Sequence, residues 1–580
     1  MPPGTPYHSF VLPYPIRVDN FADNLGPSSS AKSPTNQEPP FTQPALYLLS
    51  HTHTDHLSGL ASKSFSQRVI CSADAKTMLL RHEVYKQRAR LGKSERTRTY
   101  EHMRVLPLIK PDGTKCYTGS RDLLHVVPMN TPTPFEISAD ESVTVTLIDA
   151  NHCPGAVMFL IEGPRGSVLH TGDFRAESWF LTALTKNPFL QPYLATDDSY
   201  ASTYTQEGHT QDSRSPPVKT LDAIYLDTAC LMDTVVVPSK ESVVLGLIEL
   251  IALFPSTTYF FINAWTWGYE DVLKGIARAF ESKIHVDRYK YGIYTRLSDP
   301  LLRSIVTRDE GSTRFHACER FARCAWVDVN LPGLEQFAGK GKDNAHPSLS
   351  KKGKHVVYIN PGKMGSAQWG AYMRDVKAKM RFGGNGGTDA EQRVDSLLVP
   401  LLRHSPLPEL MSFVSLFRPR RVVPNTLDPT LNGLDWACME KMFEGCLSNP
   451  HHPSNANPPP STSTNSNIVN MLNAGPNAYN GPTTFNLSAL DMHTDTGLKN
   501  LMVPSEGARE VAERWIITGK LRDKLEVLAD WLRGERRRVV ERALGRMYEA
   551  DEEEERESKR RDEGNADNGD DDIKKAVDKL

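Results

Sequence analysis

Residues 45–56, ALYLLSHTHTDH, join an apolar, strand-like run directly to three histidines and an aspartate within six positions. No other stretch constrains the chain as tightly, because a short loop at a rigid strand end can aim several side chains at one point. If the loop continues extended, alternation puts His51, His53 and Asp55 on one side and lets His56 turn toward a neighbouring point. Two imidazoles plus a carboxylate suit a hydrolytic zinc site with an open position, and Asp55 with His56 begins a second site. A merely solvated loop would require no particular spacing, and this one has a spacing.

The loop supplies too few ligands alone, so more are expected downstream. DANHCPGAVMFLIEG offers His152 at a strand-to-strand turn, followed by small residues that let backbone approach a site, and VLHTGDFR offers Asp173 just after an apolar strand and a glycine. Taken singly, His152 could be a core histidine and Asp173 a turn residue. Following HTHTDH, they are its expected completion.

At 580 residues the chain is long enough for two to four domains at roughly 150 residues each. The formal net charge is only −2, but residues 549–580 hold fourteen acidic and seven basic side chains, so the other 548 residues carry +5. That balance is compatible with a polyanionic substrate. The eight cysteines (71, 116, 153, 230, 318, 324, 438 and 446) are scattered, and the opening MPPGTPYHSF has neither a charged n-region nor an apolar h-region. A reducing compartment, nuclear or cytosolic, is expected. The most apolar stretch, VVLGLIELIALFP, is interrupted by Glu249 and stopped by Pro255, short of the roughly 20 residues of a membrane span, so no membrane is expected as a partner.

Short β-rich runs (QRVICS, VTVTLIDA, AVMFLIEG, DAIYLDT) alternate with turn signals and helix-like text such as ADAKTMLLRHEVYKQRARLG, which predicts a sheet-rich α/β layer fold. Residues 27–44 and 190–218 read as surface insertions, and 448–500 as low-complexity, disordered chain. A last helix over about 506–549 puts Leu521, Leu525, Leu528 and Leu532 on one face.

HTHTDH, NHCPGAVMFLIEG and LHTGDFR resemble the second, third and fourth motifs of the metallo-β-lactamase superfamily in its β-CASP branch, the DNA cross-link repair nucleases that include Artemis and Apollo. Asp19 in YPIRVDNF matches the first motif, Asp227 in AIYLDTACL the branch's motif A, and His404 in LLRHSPLPELMSFVSLFRPRRVVPNT its motif B, so the resemblance covers most of residues 7–430 in order. It implies an α/β fold: a metallo-β-lactamase αββα sandwich (1–235 and 391–447), an inserted β-CASP domain (236–390), a disordered linker (448–505) and a helix with a charged tail (506–580). It also implies one tight Zn2+ on His51, His53, His152 and Asp173, and a weaker second metal (Zn2+, Mg2+ or Mn2+) on Asp55, His56 and the bridging Asp173. His404 would protonate the leaving oxygen, Asp227 would orient nearby groups, and Asp19 would position the histidine loop from behind the ligands; with Asp55 these form the catalytic set.

Within the branch, WGYE places Tyr269 where 5′-phosphate exonucleases carry lysine, the Artemis-like version, and His285, His316 and Cys318 match ligands of a structural zinc in the β-CASP domain. Cys324 is the fourth candidate ligand, at shorter spacing than in the family. Thr426 stands where DNA-acting members have valine and RNA-acting ones histidine, which favours DNA. The expectation is a nuclear Artemis-like endonuclease with 5′–3′ exonuclease activity, acting on DNA in repair of double-strand breaks or cross-links. An Apollo-type 5′ exonuclease at telomeres and a non-catalytic repair scaffold are the alternatives. Arg175, Arg418, Arg420 and Arg421 are candidate phosphate contacts, the carboxyl-terminal helix would dock on the core or recruit a repair protein, and ESKRR is a candidate nuclear-import run.

Overall fold

The computed structural model describes residues 5–22, 40–83, 99–104, 108–116, 122–197, 214–215, 218–264, 266–319, 324, 326–327, 355–382, 394–428, 431, 433–448, 501–502, 506–517, 521–534 and 536–545. The run behind the histidine loop forms the strand Leu46–Leu48, which pairs in parallel with Ile16–Val18 on one side and Val69–Cys71 on the other. Leu124–Val126 completes this four-stranded sheet. Alternation along a strand sends neighbouring side chains to opposite faces, so both faces here need cover. Leu46 and Leu48 enter the main core shared with a second sheet, whereas Tyr47 and Leu49 pack in a separate cluster with Ala75 and Leu79 of the helix Ala73–Leu79.

The second sheet has six strands in the order Val422–Pro424, Ala223–Leu226, Gly166–His170, Val157–Gly163, Ser142–Asp149 and Thr133–Glu136. The first three run parallel, and the rest are antiparallel. Helices Leu407–Phe417 and Leu434–Met442 pack into the same core, giving two sheets with helices outside them.

Between the adjacent strands Ala223–Leu226 and Val422–Pro424 the chain builds a separate lobe on a six-stranded, wholly parallel sheet. Its core is filled from helices Lys240–Ala252, Glu270–Ala279 and Ser366–Phe382. Strand Ser396–Val399, which the sequence division assigns to the returning segment 391–447, pairs with Val356–Pro361 in this lobe. A short buried strand such as SLLV reads alike in either sheet, because its apolar run says that it is covered and not by what.

The carboxyl-terminal segment ties the lobes together. Met502 exchanges two 2.8 Å backbone hydrogen bonds with the buried Asn360 side chain, and Ile516 packs into the inserted lobe's core. Farther on, helix Leu521–Trp531 lays Leu525, Leu528 and then Leu532, at most 2% exposed, into the main core. Each buried leucine contributes about 1.5–3 kcal/mol relative to exposure. That face is therefore consumed by docking on the core. The expected linker, apart from 448 and 501–502, and the tail from 546 onward lie outside the described residues.

Candidate metal centre

The histidine loop leaves its strand extended, with His53 at φ −66° and ψ 146°, then tightens into a 3-10 turn over Thr54–His56. This differs from a loop extended throughout. The turn returns the His56 ring to 4.0 Å from that of His51 and leaves the Asp55 side chain 52% exposed. What holds it is Asp19, whose Oδ2 accepts from His56 Nδ1 at 2.8 Å.

Four donor atoms converge beside this turn. His53 Nδ1 lies 2.9 Å from His51 Nε2 and 3.1 Å from His152 Nε2, while Asp173 Oδ2 lies 3.5 and 3.7 Å from those same two nitrogens. Zinc bound tetrahedrally at 2.0–2.1 Å requires donors about 3.3 Å apart, so the set fits such an ion. Three aromatic nitrogens pointing at one place and joined by a carboxylate have no comparable explanation as a hydrogen-bonded core. Asp173 reaches the group because Gly172 takes φ 56° and packs so closely that a Cβ there would sit 2.8 Å from that of Ser50.

The opposite nitrogen of each imidazole has its own acceptor. His51 Nδ1 is 2.9 Å from Ser50 Oγ, which donates to Asp19 Oδ2 at 2.5 Å; His53 Nε2 is 3.2 Å from the Trp267 carbonyl, and His152 Nδ1 is 2.9 Å from the Arg403 carbonyl. In the tautomers these acceptors select, the outer nitrogens carry the protons and the inner ones are bare, the arrangement that orients metal-binding histidines. Asp19, at φ 56°, also takes the Ser50 backbone N–H at 2.7 Å.

A second position adjoins the first. His56 Nε2 lies 3.2 Å from Asp173 Oδ2 and 3.3 Å from Asp55 Oδ2, so one aspartate oxygen faces both positions. On the far side His404 Nδ1 is 2.8 Å from Asp227 Oδ2 and 4.0 Å from Asp173 Oδ2. Asp227 is fixed in turn by the Phe174 and Ala229 backbone N–H groups at 3.1 and 3.0 Å. The Thr426 hydroxyl donates to Asn425 Oδ1 and turns away.

Burial pushes His51 and His152 well below the usual histidine range, and burial reinforced by the Arg403 charge brings His53 down to about 3. All three are neutral at pH 7 and can act as ligands. Burial opposes charge on His56 too, yet Asp173, Asp19 and Asp55 raise it well above its usual value. For Asp173 burial is likewise outweighed, by His56 and His51, and the carboxyl is held well below the usual range. His404 is raised by Asp227 and Asp173 against the effect of burial.

The inserted lobe holds a second, closed cluster. His285 Nδ1 lies 3.0 Å from His316 Nδ1, 3.5 Å from Cys318 Sγ and 3.6 Å from Cys324 Sγ, and Cys324 Sγ is 3.3 Å from His316 Nδ1. All four residues are buried. A hydrogen bond from Cys318, with smaller help from His285 and His316, outweighs burial and holds the Cys324 thiol far down, while the same contact pushes Cys318 up. The donor atoms of His285, His316 and Cys324 all lie within 4.8 Å of one another and suit a tetrahedral zinc, at about 3.3 Å between nitrogens and 3.6 Å between nitrogen and sulfur, whereas Cys318 stands outside that group, beside His285.

The arginines expected at the cleft are elsewhere. Arg175 is fully buried, clamped by Glu409 at 2.6 and 2.8 Å and donating to the Leu402 carbonyl at 3.0 Å. Arg420 and Arg421 bond Asp222, at the end of the parallel strand pair opposite Asp227 and Thr426. Arg418 caps helix Leu407–Phe417 with φ 45°. Sequence proximity misled because Arg175 lies past the end of the strand Gly166–His170, in irregular chain that carries it inward to Glu409, and because the two ends of a strand, one bearing Asp222 and the other Asp227, are far apart.

Three contributors are missing from the reading of the sequence: Ser50, the Trp267 carbonyl and Arg403. Arg403 Nη1 lies 3.2 Å from His53 Nε2 and 2.9 Å from the Trp267 carbonyl, and its guanidinium sits over the Tyr269 ring at 5.4 Å. Gly268, at φ 109°, permits this approach, since a Cβ there would meet Arg403 Cδ at 2.7 Å and the His152 carbonyl at 2.8 Å. The adjacent RHSP motif could have flagged Arg403, whereas nothing local marks the other two.

No protein-family model matches the chain. It is 26% identical to protein artemis of Gallus gallus over 415 residues, covering 69% of this chain and 47% of that protein. It is also 26% identical to 5′ exonuclease Apollo of Rattus norvegicus (65% and 50% covered) and to DNA cross-link repair 1A protein of Homo sapiens (68% and 29%). The chain thus spans half or less of the length of these curated relatives. Its mixed α/β architecture and its convergent His/Asp group agree with these matches, and the chain resembles the Artemis, Apollo and DNA cross-link repair 1A proteins over about two thirds of its length.

Proposed function

We propose that this chain is a zinc-dependent nuclease that hydrolyses phosphodiester bonds of DNA in the nucleus during repair of breaks or cross-links, an Artemis-like endonuclease with 5′–3′ exonuclease activity. The observation that carries the reading is the convergence of one ring nitrogen each of His51, His53 and His152 with Asp173, beside the His404–Asp227 pair. In this reading a tight Zn2+ sits on those four residues, and a weaker divalent metal sits on Asp55, His56 and Asp173. Bound there, the ions activate water and neutralise charge on the phosphate.

The protein's own groups divide the remaining work. Asp173, whose Oδ2 lies near both His51 Nε2 and His56 Nε2, would help hold both ions. His404, with Nδ1 committed to Asp227, has Nε2 left to deliver a proton to the departing oxygen, and Asp227 keeps that imidazole charged and oriented. Asp19 and Ser50 hold the histidine loop to its tautomers. His285, His316, Cys318 and Cys324 take a structural Zn2+ remote from the chemistry.

The deciding experiment pairs metal analysis with cleavage of defined ends: 5′-phosphate, 5′-hydroxyl, overhang and hairpin DNA. Zinc at one or more per chain with cleavage of overhangs and hairpins is expected. Zinc below one per chain, or no cleavage that depends on His53 and Asp55, overturns the proposal. Strict dependence on a 5′ phosphate would replace the Artemis-like mode with an exonuclease of the Apollo type.

A further inference from the structure

Two cavities open along the seam between the lobes, at opposite ends of the segment that starts with helix Ala73–Leu79. One, of about 1080 Å³, is reached past Asp74, and seven carboxylates in its lining face only three cations. The other, of about 300 Å³, is reached past Arg81 and Glu83, and four arginines in its lining face one carboxylate. Size and charge therefore rank the two cavities in opposite order.

For a nucleic acid, charge decides. Phosphate contacts dominate the affinity of proteins for a polynucleotide backbone, and a strand laid in the larger cleft would face Asp149, Glu241 and Asp271. Resting on the nuclease reading above, we propose that the small arginine pocket holds a backbone phosphate of the DNA strand a few nucleotides from the cut, and that the larger cleft is not the path of that strand.

The pocket is organised for an anion. Glu83 pairs with Arg288 through both carboxylate oxygens, with Nη1 at 3.0 Å from Oε1, which fixes that guanidinium at the seam. Arg296 makes only local bonds, to the Gly292 carbonyl at 3.0 Å and the Thr295 hydroxyl at 3.5 Å. Arg308 makes no hydrogen bond or ion pair among the described residues, and it is exposed. Both lobes contribute, so the pocket exists only while they are held in register. A short run of contacts joins it to the metal centre: the Tyr289 ring lies 6.1 Å from that of Trp267, whose carbonyl is 3.2 Å from His53 Nε2.

The test uses the full chain in two arms. Anisotropy with a fluorescent single-stranded oligonucleotide, in a His53→Ala background to suppress cutting, compares R296E/R308E and R296Q/R308Q with a cleft pair, E241Q/D271N. Charge reversal should weaken binding about tenfold or more at low salt and lower the slope of log Kd against log salt by about one to two, with the neutral pair intermediate. The cleft pair should bind at least as tightly as the background. Unchanged affinity and slope in both arginine variants, or weakening in the cleft pair alone, overturns the proposal. The second arm measures stabilisation of the otherwise native chain by inorganic phosphate. If the oligonucleotide is not bound but phosphate stabilises the native chain and not R296E/R308E, the anion pocket stands, its source is free phosphate, and the nuclease reading is what fails. If neither ligand responds to the arginines, the pocket is overturned.

Discussion

The two histidine clusters are built from overlapping chemistry and differ in what closes them. Around His51, His53 and His152 the remaining donors are carboxylates, one of them shared with a second position, and Asp55 and His404 stay partly exposed at its edge. Around His285 and His316 the remaining donors are thiols, every member is buried, and the neighbours are apolar, among them Phe261, Tyr358 and Met502. An open, anionic cluster can accept substrate and release protons, whereas a closed thiolate cluster can only hold chain segments together. The first should therefore answer in rate and the second in stability.

The sharpest way to break this contrast is to remove one imidazole from each. His53→Ala should lower DNA cleavage by about a thousandfold or more, since metal activation supplies several kcal/mol, while His316→Ala should leave the per-molecule rate of folded protein nearly unchanged. Steady-state cleavage rates corrected for the folded fraction check this. In melting temperature the order should reverse, with His316→Ala the lower of the two, because a structural metal contributes directly to folding. Equal rate loss in both variants would remove the distinction.

Next in size is the His404–Asp227 pair. Asp227→Asn should reduce kcat by about a hundredfold, within the range usual for general acid catalysis. It should also reshape the pH profile. Asp227 and Asp173 raise the His404 value in the folded protein, so the protonated acid persists above the usual histidine range and kcat falls only as pH rises through that raised value. In Asp227→Asn the fall should begin at lower pH, which a kcat series from pH 6 to 9 reads.

Ser50→Ala should weaken binding of the tight metal by about tenfold, by cutting the relay from His51 to Asp19, with a smaller effect on rate at saturating zinc. The measurement is competition against a chelator of known affinity.

The smallest effect concerns protons on the metal-free centre. His56 is raised there, so its stabilising contribution is fully present below the unfolded value of about 6.5 and is lost as pH rises through its folded value. The same proton competes with the second metal, whose affinity should increase with pH; calorimetric titration of that site at pH 6, 7 and 8 should show the rise.

The sequence by itself determined the chemistry of the open cluster, because its ligands sit at strand ends and their order along the chain is set by local spacing. HTHTDH, Asp173 behind its glycine, and the α/β alternation were all legible for that reason. The closed cluster was half legible: Cys324 lies only six residues from Cys318, and its approach to His285 depends on the parallel pairing of the strands that carry His285 and His316.

What the tertiary structure decided depends on residues far apart in the chain. It turned Arg175 inward onto Glu409, 234 positions away, where its nearness to Asp173 had suggested the cleft. It set the Trp267 carbonyl and Arg403 against His53, and it docked Leu525 and Leu528 of helix Leu521–Trp531 on the core instead of exposing them. Local backbone geometry aims a ligand, and that information is carried within a few residues. Which acceptor stands behind it, and which face a distant segment covers, follows from the packing of whole sheets, where no local pattern records the partner.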